Sequence, residues 1–85
     1  MSELDDLRAE IDAIDRELFA LVNRRLETVQ RLKRHKDEQG IAFVDPDREQ
    51  ALGDARAREN PGPLSDEGLR AFYAELLALT KREVR

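Results

Sequence analysis

The feature that most constrains this chain is an apolar seam at helical spacing in its N-terminal third. Apolar residues recur there at alternating steps of three and four, which keeps them on one stripe of a helix: Leu4, Leu7, Ile11, Ile14, Leu18 and Leu21. No proline interrupts the stretch and its first glycine is Gly40, so we predict one helix from Leu4 to about Gln39. At about 1.5 Å of rise per residue this helix is about 50 Å long, longer than a compact domain of this size is wide. One chain cannot bury such a seam by itself.

Two further helices follow from local capping signals. Asp45 before Pro46 fits an N-cap with proline in the first helical position, and the segment 60–63, with two prolines and a glycine, ends that helix. Ser65 is the expected cap of a third helix, with an apolar stripe in which Thr80 is the polar exception. In the first connection, the apolar residues Ile41, Phe43 and Val44 are expected to enter the core. The predicted fold is all-α, a single domain over residues 1–85 with one long, one short and one medium helix.

Composition narrows the class of protein. The chain has no cysteine and one histidine, which excludes disulfides and thiolate chemistry and argues against a zinc site. Its net charge of −4 gives no reason to expect a nucleic-acid partner. No apolar run approaches membrane-spanning length and the N-terminus is acidic, so neither a membrane partner nor a signal peptide is expected. We expect a cytoplasmic protein.

Arg25 occupies a position where the spacing of the seam predicts an apolar residue. A buried charge is costly unless it is paired or meets an anion, so Arg25 needs either a salt bridge, with Glu49 for example, or an anionic ligand. Lys36 is eleven residues further on and returns to nearly the same face, although a lysine near a helix C-terminus is often only solvated. The sequence alone leaves both readings open.

A second group of polar residues lies on faces that can converge with Arg25. Asp45, Arg48, Glu49 and Leu52 share one face of the second helix, charged at one end and apolar at the other, which suggests a polar cavity with a hydrophobic floor. Arg48 and Glu49 could instead be an exposed pair, Arg8 a flanking charge beside the seam, and Thr80 bonded to its own helix. Together, three arginines, a lysine, a carboxylate and a hydroxyl suit a pocket for a small dianion. No activated nucleophile or glycine-rich phosphate loop is present, so the chemistry expected is positioning and charge stabilisation.

The order of these charged positions resembles the all-helical class of chorismate mutases. The resemblance covers nearly the whole chain and is carried by these residues and segments: Leu7, Arg8, Ile11, Asp15, 18–21, Arg24, Arg25, Lys36, 45–49 and 59–63. It implies an intertwined homodimer that converts chorismate to prephenate, in which each of two active sites takes an arginine from the other subunit. It also implies that no metal, cofactor or covalent intermediate is needed.

The resemblance implies a role for each matching position. Lys36, Arg25 and Glu49 correspond to catalytic residues, and the substrate-binding set is Arg8, Arg25, Lys36, Asp45, Arg48, Glu49, Thr80 and Val84. In this set Arg8 would come from the second subunit, Arg25 and Arg48 would bind carboxylates, and Lys36 would donate to the ether oxygen. Asp45 and Glu49 would hold the ring hydroxyl. Val84 departs from the family, which often has glutamine or glutamate there as a second partner of the ether oxygen.

That departure keeps related activities open. An isochorismate pyruvate-lyase, or a mutase for 4-amino-4-deoxychorismate, would need a similar cationic pocket. A non-catalytic helical dimer with the same charges on its surface is the alternative outside enzymes.

Overall fold

A computed structural model describes residues 2–84 as three α-helices. The helices are α1 (Glu3–Gln39), α2 (Pro46–Glu59) and α3 (Asp66–Glu83), and the described residues contain no strand. This confirms the predicted all-α class and the long, short and medium order of the helices. The predicted first helix differs from α1 by one residue at its start.

A side chain just before each helix accepts a hydrogen bond from a first-turn N–H group that has no partner within the helix. Ser2 Oγ accepts a hydrogen bond from the Asp5 N–H at 3.2 Å, and Ser65 Oγ accepts one from the Gly68 N–H at 3.0 Å. Asp45 Oδ1 accepts from the Arg48 N–H at 3.1 Å, with Pro46 in the first turn of α2 as predicted. The caps at Asp45 and Ser65 fix where the two connections end and the next helix begins.

Gly40 ends α1 in the left-handed conformation, with φ 69°. A side chain is strained at this φ even though an added Cβ would meet no atom within 4 Å. We therefore expect Gly40→Ala to lower the free energy of unfolding by about 1 kcal/mol. Gly53 is the matched control, because it lies inside α2 with equally open surroundings.

Gly53→Ala is expected to raise the free energy of unfolding by about 0.5–1 kcal/mol, since alanine favours the helix. Urea unfolding of both variants at one fixed protein concentration measures the two changes. Equal stabilities for Gly40→Ala and the wild-type chain would contradict the role given to Gly40.

The three helices bury little apolar surface in a single chain. The molecule measures 57 × 24 × 18 Å, and α3 packs on both α1 and α2. Among the described residues, only Thr80 and Val84 are buried, with 6% and 3% of their surface exposed. The seam residues of α1 are 42–56% exposed, as expected for a helix too long to be covered by its own chain.

The first connection differs from the prediction. Ile41 and Val44 are exposed and only Phe43 is half-buried, whereas all three were expected in the core. The reason is that α3 packs on α1 and on α2, whereas α1 and α2 as described do not pack on each other, so the connection between them has no closed core to enter. Within residues 2–84, no helix has the length and hydropathy needed to cross a membrane.

Candidate active site

A cavity of about 120 Å³ opens where the C-terminal half of α1 meets the first connection, α2 and α3. Its lining joins charged side chains with an apolar floor. The polar members are Arg25, Lys36, Asp45, Arg48, Glu49, Thr80 and Lys81, and the apolar members are Val29, Leu32, Phe43, Val44, Leu52 and Leu77. The four residues predicted to share one face of α2 all line this cavity: Asp45, Arg48, Glu49 and Leu52.

Arg25 is held by a hydroxyl. Its Nη1 donates to Thr80 Oγ1 at 2.6 Å, and Thr80 Oγ1 donates in turn to the Leu76 carbonyl at 2.7 Å. The salt bridge with Glu49 that the sequence left open does not form, and no carboxylate of residues 2–84 lies within 4 Å of the guanidinium. Arg25 is therefore aimed by a neutral group, and its positive charge is left for an anion that enters the cavity.

Lys36 and Arg48 likewise face the cavity without a carboxylate partner in the described part of the chain. Lys36 is half-buried, and its Nζ donates to the Phe43 carbonyl at 3.3 Å, which turns the ammonium towards the cavity wall. Arg48 is exposed, and Glu49, its neighbour in sequence, pairs elsewhere. Three cations thus converge on one small cavity, as the sequence predicted for Arg25, Lys36 and Arg48.

Lys81 is a cavity residue that the sequence analysis missed. Its Nζ lies 2.6 Å from Glu49 Oε1, and the Lys81 and Glu49 side chains are 44% and 23% exposed. Cations are common in the last turn of a helix, so the position of Lys81 did not by itself indicate a functional residue. The available signal was its position four residues after Leu77, which places it on the apolar stripe of α3.

Arg8 and Val84 do not line the cavity in one chain. Arg8 is exposed and precedes Arg25 by seventeen residues, about 25 Å along the axis of α1. Val84 is buried at the end of α3, where its N–H donates to the Thr80 carbonyl at 2.9 Å. The remaining residues predicted from the sequence, Lys36, Arg25, Asp45, Arg48, Glu49 and Thr80, are all brought together.

The arrangement favours binding of a small dianion. Four cationic and two anionic side chains line the cavity, so its formal charge is positive although that of the chain is negative. The apolar floor suits the ring or hydrocarbon part of a ligand. Arg25 and Lys36 are half-buried, so their attraction for an anion is screened less than at an open surface.

Comparisons with known proteins find similarity over nearly all of the chain. A family model described as chorismate mutase type II matches residues 7–84. The T-protein of Haemophilus influenzae is 39% identical over 83 residues, which is 92% of this chain and 22% of that protein. The 4-amino-4-deoxychorismate mutase of Streptomyces venezuelae is 39% identical over 57 residues, which is 67% of this chain and 55% of that protein. This chain therefore spans only about a fifth to a half of these two relatives.

A solved structure has the same fold. The form II structure of chorismate mutase from Thermus thermophilus superposes with a TM-score of 0.93 at 33% identity, covering 99% of this chain and 97% of that one. The three-helix arrangement described above is thus shared with a protein of nearly the same extent.

Proposed function

We propose that this chain, which belongs to the chorismate mutase type II family, catalyses the rearrangement of chorismate to prephenate. The observation that carries the proposal is the cluster of Arg25, Lys36 and Arg48 at one cavity, without carboxylate partners among residues 2–84. Chorismate carries one carboxylate on its ring and one on its enolpyruvyl side chain, and such a small dianion matches a cationic cavity with an apolar floor. Its rearrangement breaks one carbon–oxygen bond and forms one carbon–carbon bond within the same molecule, so it needs no nucleophile from the protein.

The cations would act by holding one conformation of the substrate. Arg25 and Arg48 bind the two carboxylates, which brings the enolpyruvyl side chain over the ring, where the new bond forms. Free chorismate visits this conformation rarely, so binding it removes an entropic part of the barrier. The hydrogen bond from Arg25 to Thr80 supports this role, because it fixes the guanidinium before substrate arrives.

Lys36 would stabilise the transition state. As the carbon–oxygen bond lengthens, negative charge develops on the ether oxygen, and an ammonium placed there lowers the barrier more than it stabilises the ground state. Val84 is buried and apolar, so it supplies no second donor. Lys36 is then the principal donor to the ether oxygen, and Asp45 and Glu49 hold the ring hydroxyl.

We also propose that the active species is a homodimer paired along the seams of α1. The seam residues are about half exposed in one chain, and a second copy would cover them. In that dimer Arg8 of one copy enters the cavity of the other, adding a third arginine for the dianion. The long distance between Arg8 and Arg25 within one α1 is consistent with Arg8 serving the site of the second copy.

The test is to mix purified protein with chorismate, follow its absorbance, and identify the product by chromatography. We expect prephenate to form far faster than in a control with heat-denatured protein. Pyruvate release would assign the site to lyase chemistry on a related substrate. An unchanged rate of chorismate loss would contradict the proposed function.

A further inference from the structure

We propose that the ion pair between Lys81 and Glu49 makes the site selective for a ring hydroxyl over a ring ammonium, and so for chorismate over 4-amino-4-deoxychorismate. The inference rests on the proposed function and deepens it. The two substrates share both carboxylates and the ether, and they differ at one ring substituent, which is a neutral hydroxyl in the first and an amine protonated near neutral pH in the second.

The ion pair joins two helices across the cavity. Glu49 lies in the first turn of α2 and Lys81 in the last turn of α3, 32 residues apart, and both side chains line the cavity. The 2.6 Å contact between Lys81 Nζ and Glu49 Oε1 directs a positive charge at the carboxylate. The neighbouring Thr80 carries the hydroxyl that holds Arg25, so this end of α3 positions one cation and neutralises one anion.

Both carboxylates in the lining are already engaged. Asp45 Oδ1 accepts from the Arg48 N–H as the cap of α2, and Glu49 is paired with Lys81. A ring ammonium binds best to a carboxylate whose charge is not already neutralised, and Lys81 neutralises that of Glu49. Asp45 has no ion pair among residues 2–84, but it is exposed and its Oδ1 already caps α2. A ring ammonium would also approach the Lys81 ammonium, and two like charges repel in a partly buried site.

A ring hydroxyl has different requirements. It is neutral, so it needs an acceptor but no counterion. An ionised carboxylate has about four lone-pair sites, so Glu49 can accept from a hydroxyl while it is bound to Lys81. The Lys81–Glu49 pair therefore disfavours a ring ammonium but still lets Glu49 accept a hydrogen bond from a ring hydroxyl. The selectivity is the difference between the binding free energies of the two substrates.

The net charge of the cavity lining also favours chorismate over 4-amino-4-deoxychorismate. In one chain the lining holds four cations and two carboxylates, a positive excess that favours the more negative of the two ligands, chorismate. The amino analogue carries one negative charge less in net terms. Removing the Lys81 charge lowers the net positive charge of the lining, which favours the less negative analogue. It also leaves Glu49 free to pair with the ring ammonium of the analogue.

The experiment measures kcat/KM for chorismate and for 4-amino-4-deoxychorismate with the same preparation of each protein. For Lys81→Met we expect the ratio of the two values to fall by about tenfold, through better use of the analogue and poorer use of chorismate. Lys81→Arg keeps the charge and should keep the ratio. Because both substrates meet the same active fraction, partial unfolding of a variant does not alter the ratio.

Arg70 provides the matched control. Its Nη1 lies 2.8 Å from Asp54 Oδ1, so this pair also joins α3 to α2, but neither residue lines the cavity. Arg70→Met should leave the ratio unchanged, which separates a local charge effect from a loosening of the two helices.

The outcomes separate the two proposals. If the wild-type chain rearranges chorismate but Lys81→Met keeps the wild-type ratio, the selectivity inference is overturned and the proposed function stands. An equal fall in Arg70→Met would also overturn it, because the effect would then come from helix packing. If the wild-type chain rearranges neither substrate, the proposed function fails and the inference with it.

Discussion

Lys36→Met lowers kcat/KM for chorismate by about a hundredfold or more and leaves the chain folded. Methionine keeps most of the length and apolar stem of lysine but places no charge at the ether oxygen. Removing one donor from a site where transition-state charge develops typically costs two to three orders of magnitude in rate. The structural loss is small by comparison, since Lys36 makes one hydrogen bond, to the Phe43 carbonyl, worth about 1 kcal/mol. Steady-state kinetics with chorismate, beside circular dichroism, measure the two effects separately.

Arg34→Met is the control for loss of a cation from the same part of α1. Arg34 is exposed and does not line the cavity, so this variant should keep the wild-type kcat/KM. Near-wild-type turnover by Lys36→Met would remove Lys36 from the mechanism and leave a site that works only by binding carboxylates.

Ile14→Arg abolishes the proposed homodimer and reduces kcat/KM by at least about a hundredfold. Ile14 lies on the seam and is 55% exposed in a single chain. In a dimer paired along α1 the guanidinium would be buried against apolar side chains, which costs several kcal/mol, and each 1.4 kcal/mol is a factor of ten. Sedimentation shows whether the chain is still paired, and the same samples report activity.

Arg16→Glu changes charge on the opposite side of the same turn. Arg16 lies about 200° around the helix from Ile14, away from the seam, so the variant should remain paired and active. If Ile14→Arg sediments like the wild-type chain and keeps its activity, the seam is not the interface and the exposed stripe of α1 requires another explanation.

The helix ends were predictable because capping is local chemistry. Gly40, Asp45 and Ser65 were predicted to end or cap helices through backbone groups within a few residues, and the structure confirms all three. The exposure of Ile41 and Val44 was not predictable in this way. Their burial depends on which other helices pack against the connection, and a local sequence pattern does not determine that.

The site was predictable where a polar residue broke an apolar pattern. Arg25 in the seam and Thr80 in the stripe of α3 are such breaks, and the structure joins them directly. The partner of Glu49 was not predictable, because the sequence offered Arg25 as one candidate and the structure pairs Glu49 with Lys81. Glu49 and Lys81 are 32 positions apart and meet only because α2 and α3 pack against each other. The spacing of residues along one helix carries no information about such a contact.

The exposed apolar stripe on α1 also has a kinetic consequence for assembly of the proposed homodimer. In one chain Leu7, Ile11 and Ile14 are about half exposed, and in the proposed homodimer they stay so until a second copy covers them. Meetings between copies scale with the square of their concentration, whereas proteolysis or capture by foreign apolar surfaces scales with its first power. The yield of paired chains therefore rises more steeply than the rate of synthesis. In that dimer the amount of paired protein would therefore rise more than proportionally with expression level, until pairing is faster than the competing losses.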